Sequence, residues 1–212
     1  MEQEQGDTAG AAAGATSGEE AYVRYLAVVA VGVTFGGMAL AALLSPSFAW
    51  GENALSNLGV TWTDAGTTAT AILFNGGLIT GGLVGVTVAV SLYRRSTRRA
   101  DRVVEVLAGV ALALMGLVGV FPQGDLLHFP AAISFFLLIS VTMWVDGGLG
   151  YRAGERRRAV LTVAGGTGNI LVWLVWFAAT ETPSEGLAVP EVVGAVVFAG
   201  WLLASTVRLS GE

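Results

Sequence analysis

RRSTRRADR, residues 94–102, joins two apolar runs, and its five arginines decide how the rest of the chain is read. The flanking runs, roughly 67–93 and 103–121, are almost free of charge. Four more such runs lie at about 22–44, 129–145, 159–179 and 189–207. A helix needs about 20 residues to cross ~30 Å of hydrocarbon. Six runs of this length predict an all-α polytopic membrane protein, a six-transmembrane-helix bundle. The second run is long and the fourth short, so tilt or local thinning is expected.

Arginine placement orients the bundle. Arg24 stands at the start of the first run, five arginines join the second to the third, Arg152, Arg156, Arg157 and Arg158 join the fourth to the fifth, and Arg208 follows the sixth. The connections 45–66, 122–128 and 180–188 contain no base. All 11 basic residues thus fall on one side of a six-span arrangement. The positive-inside rule makes that side cytoplasmic, with an N-in/C-in topology in the plasma membrane. Aromatic residues bracket the spans: Phe48, Trp50, Trp62, Phe121, Phe129, Trp176 and Phe177 near one boundary, Tyr22, Tyr25, Tyr93, Trp144 and Tyr151 near the other.

Composition agrees. The chain has 212 residues, 54% hydrophobic and 13% charged, with mean hydropathy +0.68. A soluble domain carries about 25% charged residues. Cysteine is absent, which excludes disulfides and thiolate chemistry, and His128 is the single histidine, which excludes a three-histidine zinc site within one chain. No metal site and no cofactor is expected. Arginines that flank apolar spans make no nucleic-acid face. Sixteen acids against 11 arginines, without lysine, associate the chain with a salt-rich cytoplasm. Residues 1–20 hold no large apolar residue after Met1 and read as a disordered cytoplasmic tail, not a signal peptide. The membrane domain is then 21–208, followed by a short tail at 209–212.

Residues 50–59, WGENALSNLG, are the densest set of uncharged hydrogen-bonding side chains in the chain. Asn53, Ser56 and Asn57 are spaced i, i+3 and i+4, so one helical turn puts them on one side. The stretch reads as a short interfacial segment over whatever the bundle encloses. Asn75 and Ser134 lie below it, and Asn169 nearer the bilayer middle; an amide in hydrocarbon needs a partner and should face the interior. Asp125 and His128 are three apart, so a pairing across one turn would orient the imidazole as a general base. Ser56 is a nucleophile only if His128 reaches it. The carboxylates Glu52, Asp64, Asp125, Glu181, Glu185 and Glu191 are scattered, and solvation is their expected role. Pro190 with Glu191 reads as an ordinary helix start. Glycines four apart, Gly77, Gly81 and Gly85 on the second span and Gly32 and Gly36 on the first, fit close helix packing within the chain, with a homo-oligomer or protein-partner face as the alternative. No inverted repeat relates the two halves.

Asn53-Ala54-Leu55-Ser56-Asn57-Leu58-Gly59, after an aromatic-rich entry, resembles the signature of domain-of-unknown-function family 998. Leu73-Phe74-Asn75-Gly76-Gly77 and Gly119-Val120-Phe121-Pro122 with His128 look like that family too. The resemblance covers 22–208 and implies a small six-span integral membrane protein, common in salt-loving archaea, with its polar motif in the first outer loop. It implies no assured activity. The lone histidine departs from the multi-histidine pattern of ceramidase-like membrane hydrolases. Three functions compete. The leading one binds a membrane lipid or partner through an outward-facing pocket at Asn53, Ser56, Asn57, Asn75 and His128. The alternatives are a metal-independent lipid-acting enzyme using Ser56, Asp125 and His128, and a small transporter or proton-coupled carrier.

Overall fold

A computed structural model describes residues 2–180 and 185–208, with side chains from Gly18 onward. Its elements are α1 (Glu2–Leu44), a 3₁₀ helix (Leu55–Gly59), here the cap, then α2 (Thr68–Arg95), α3 (Arg99–Val120), α4 (His128–Arg152), α5 (Arg156–Ala179) and α6 (Ala188–Arg208). Six helices are long and apolar enough to cross a membrane, the first of them being Gly18–Leu44 of α1. This is an all-α, multi-pass membrane protein. The backbone of α1 is helical from Glu2, ahead of its membrane-length part. Glu181 and the stretch 209–212 lie outside the described residues.

Local chemistry sets the helix ends. Thr67 caps α2: Thr70 N–H donates to Thr67 Oγ1 at 3.1 Å and Thr67 N–H to Thr70 Oγ1 at 2.8 Å, a reciprocal capping pair. The fourth span is not short. Its helix continues through Asp146 to Arg152, because Asp146 finds partners on two other helices. An acid ends an apolar run in the sequence without ending the helix.

Consecutive helices alternate in direction. The two arginine-rich connections therefore lie at one end of the bundle, and the connections that follow α1, α3 and α5 lie at the other, the cap end. Helices α1 to α4 pack broadly on their neighbours in chain order, as α4 does on α5, whereas α6 closes the ring against α5 and α1 more thinly. Large apolar side chains such as Leu40, Ile72, Leu83, Val106, Leu161 and Val175 point outward, the surface that lipid requires.

The glycine rows are used inside the chain. A Cβ at Gly77 would stand 3.1 Å from Val33 O and 3.2 Å from Gly37 Cα on α1, and one at Gly85 would stand 2.6 Å from Leu112 on α3. Gly32 and Gly36 have open space instead. At Gly82 an added Cβ would meet three backbone atoms of α3 at once, Gly116 Cα, Gly116 N and Leu112 O, each at 2.8 Å. Three backbone atoms cannot rotate away. Gly82→Ala is therefore expected to destabilise the α2–α3 pair by about 1–3 kcal/mol, and Gly148→Ala, with nothing within 4 Å, to be neutral. Thermal unfolding of the two variants in the same detergent checks the contrast.

Candidate functional site

The cap lies inside the ring, not along an interface. Leu55, Ser56, Leu58 and Gly59 are buried, Leu58 fully. Backbone that leaves α-helical pairing among apolar side chains needs other partners, since an unpaired buried amide or carbonyl costs about 1–3 kcal/mol. Four side chains supply them. Asn53 Oδ1 accepts Ala49 N–H at 2.8 Å. Asn57 Oδ1 accepts Ala54 N–H at 2.8 Å while its Nδ2 donates to Gln123 Oε1 at 2.8 Å. Asn75 Nδ2 donates to Gly59 O at 2.7 Å. Glu191, from α6, accepts Leu55 N–H at 2.6 Å. Ala188 N–H adds a bond to Asn53 O at 2.9 Å.

The three asparagines read as ligand-binding groups are thus fasteners of the cap. Their grouping also differs from the expected single turn: the 3₁₀ helix starts at Leu55, which leaves Asn53 in the entry loop. Gly59 packs so tightly on α2 that a Cβ there would stand 2.6 Å from Asn75 Oδ1.

Ser56 and His128 do come together on one cavity. His128 is 3% exposed, and its Nδ1 lies 2.8 Å from Phe121 O. A carbonyl only accepts, so Nδ1 carries the hydrogen, and in the neutral ring Nε2 is the acceptor. Nε2 and Ser56 Oγ have no hydrogen-bond partner among the described residues. Asp125 does not join them. It is exposed, and its Oδ1 accepts Leu127 N–H at 2.8 Å. The expected Asp125–His128 pairing needs one continuous turn of helix, but α4 begins at His128 and Asp125 sits in the turn before it, beside Gly124 at φ 97°. Ser134 is exposed and lies off the cavity.

The cavity is a cleft of about 610 Å³ between α4 and α5 under the cap. Ser56, His128, Gln123 and Glu191 stand at its polar end; Phe129, Ile133, Phe136 and Leu137 of α4 face Ile170, Trp173, Leu174 and Phe177 of α5 along the rest. Phe129, Ile133, Leu137, Leu174 and Phe177 are all exposed, so the cleft opens sideways, toward lipid. From Phe129 to Leu137 it extends ~12 Å along the helix at 1.5 Å per residue, well under half of a ~30 Å hydrocarbon core. No arginine lines it. Trp173 Nε1, on its wall, is buried without an acceptor among the described residues. Toward the bundle axis the same Ser56, His128 and Glu191 border a void of only about 50 Å³ with Met38, Phe74, Leu78 and Met115. Among the described residues, no three His, Asp or Glu side chains approach closely enough to hold a metal.

The sequence model of a protein family of unknown function, family 998, matches residues 28–208. The chain belongs to that family. No curated protein and no solved structure matches it. The motifs that carried the resemblance are the ones that build this end of the bundle. The Asn53–Gly59 motif forms the cap, Asn75 holds it to α2, and Phe121 orients His128.

Two residues escape a reading of the sequence. Glu191 looks like a helix-start acid, yet its carboxyl reaches a backbone amide 136 residues earlier in the chain. Asp146 ends an apolar run, yet it ties three helices together at the arginine end. Its Oδ1 accepts from Arg158 Nη1 at 2.8 Å, both oxygens accept from Arg208 Nη1 at 3.0 Å, and Oδ2 accepts from Trp201 Nε1 at 2.8 Å. An acid among apolar residues was the available signal. Asn169 is a comparable staple in mid-bundle, donating to Phe136 O and Ser140 Oγ, both at 2.9 Å.

Glu191→Ala removes the acceptor of Leu55 N–H and is expected to destabilise the protein by about 1–3 kcal/mol. Glu191→Gln keeps an oxygen there and should retain most of that stability. Melting temperatures in one detergent separate the two cases.

Proposed function

We propose that the protein binds a membrane amphiphile in the α4–α5 cleft, with an uncharged, hydroxyl- or amine-bearing head under the cap and a single chain between the helices. The observation that carries this reading is the distribution of unused polar atoms. Ser56 Oγ and His128 Nε2 stand together at one end of a cleft whose other walls are aromatic and aliphatic and whose mouth faces lipid. The volume falls within the range of small-molecule sites, about 300–1,000 Å³. The absence of any arginine in the lining disfavours a phosphate head, which is ordinarily bound by guanidinium or ammonium groups.

The other two functions have less support. A hydrolytic site would use Ser56 on His128, but the two are not hydrogen-bonded and Asp125 is turned away from the ring. A carrier needs a polar path past Asn75. Beyond the cap the described interior narrows to a void of about 30 Å³ walled by Ala30, Val31, Phe35, Leu112 and Phe198, with Thr34 the polar exception.

A photoreactive monoacylglycerol and a photoreactive phosphate-headed analogue of equal chain length test the binding reading. The neutral probe is expected to label α4 and α5 preferentially. His128→Ala should weaken its labelling about fivefold, the loss of one hydrogen bond of ~1 kcal/mol, and Ala132→Phe should block it by filling the cleft. Equal labelling by both probes, or labelling indifferent to Ala132→Phe in a folded protein, would overturn it.

The arginine end, in this reading, faces the cytoplasm and the cap faces outward across the plasma membrane. Because the chain contains no cysteine, single substitutions report on a blank background. An impermeant maleimide should label Glu52→Cys in intact cells and should label Thr97→Cys only after the membrane is opened. The reverse pattern would invert the topology.

A further inference from the structure

A second groove lies at the other end of the bundle, between α5 and α6. It has a volume of about 460 Å³ and is lined by Arg157, Arg158 and Arg208 at its rim and by Leu161, Gly165, Val197 and Ala204 along its length, with Met143, Thr162 and Trp201 at its floor. It exists because α5 and α6 touch only thinly. Among the described residues its lining holds three guanidinium groups and no carboxylate. Arg158 and Arg208 share one acid, Asp146, behind the groove, and Arg158 also reaches Glu155. Arg157 is exposed and makes no hydrogen bond or ion pair with any described residue.

We propose that this groove binds an anionic phospholipid, its phosphate on the three arginines and one acyl chain along the α5–α6 crevice. Two independent features point to that occupant. The rim carries more positive charge than Asp146 and Glu155 balance, and guanidinium matches phosphate through paired N–H donors. The wall below the rim is apolar for ~12 Å from Arg157 to Gly165 at 1.5 Å per residue, so a free phosphate would leave it uncovered. The groove thus complements the cleft at the cap end. One lacks arginine and the other lacks acid, and each opens toward lipid.

The test is native mass spectrometry of the full chain in detergent micelles, with added dioleoyl phosphatidylglycerol or dioleoyl phosphatidylcholine. The wild type should retain phosphatidylglycerol in preference to phosphatidylcholine. Arg157→Gln should weaken phosphatidylglycerol binding about fivefold, the equivalent of ~1 kcal/mol for one arginine near a headgroup. Arg94→Gln, on the other arginine-rich connection, should leave it unchanged. Ala204→Phe fills the apolar part without altering charge and should weaken binding at least as much; if that variant does not fold, Leu161→Trp, at an exposed position, replaces it. Equal retention of the two lipids would overturn the proposal. So would equal losses in Arg157→Gln and Arg94→Gln, which would mean diffuse attraction to all arginines. A groove-filling variant that binds as the wild type does would show that no chain enters.

Discussion

Backbone that leaves the α-helix inside an apolar bundle must find its hydrogen bonds from side chains, because hydrocarbon offers none. That constraint organises the cap end of this protein. The segment between α1 and α2 turns inward and seats a 3₁₀ helix among the spans, with Leu58 fully buried. Its amides and carbonyls are then met by Asn53, Asn57, Asn75 and Glu191, drawn from the loop itself, from α2 and from α6. With the cap in place, Ser56 and His128 line one cleft. Those fasteners act together with the burial of Leu55 and Leu58 to hold the segment there.

The opposite end solves a different problem with the same economy of polar groups. The backbone of α6 approaches α4 and α5 only thinly, and Asp146 adds a connection by accepting from Trp201, Arg158 and Arg208. An edge-on ring pair, Phe135 of α4 against Phe198 of α6 with centroids 6.0 Å apart, extends that join toward the middle of the bundle. The loose α5–α6 seam that remains becomes a groove, and Arg158 and Arg208, held by Asp146, form its rim with Arg157. The arginines are thus concentrated at one end, and the cap's asparagines at the other. The two lipid-facing recesses differ in chemistry for that reason.

Much of this was legible in residue order. Six charge-poor runs separated by arginine-rich and arginine-free connections lead directly to six helices with two distinct ends, since helix length and the cost of burying charge in lipid leave little alternative. The Asn53–Gly59 motif marked the right loop. Its hydrogen-bond partners were not legible, because spacing reports which side chains share a face and not what lies opposite. Asn57 and Asn75 look like ligands in waiting until Gln123 and Gly59 are found beside them. The Asp125–His128 spacing failed for a related reason: an i, i+3 pairing presumes a helix that here begins only at His128.

The sequence by itself determined that this chain crosses a membrane six times, with its arginines at one end, because hydrophobicity over twenty residues and the placement of fixed charge are local properties. Only the tertiary structure decided which polar atoms are already satisfied. Glu191 meets Leu55 across 136 residues of chain, Asp146 meets Arg208 across 62, and His128 takes its orientation from Phe121 O. A hydrogen bond consumes a donor and an acceptor wherever the fold brings them together. Groups left over, among them Ser56 Oγ and His128 Nε2 at one end and Arg157 at the other, emerge only after the pairings have been made.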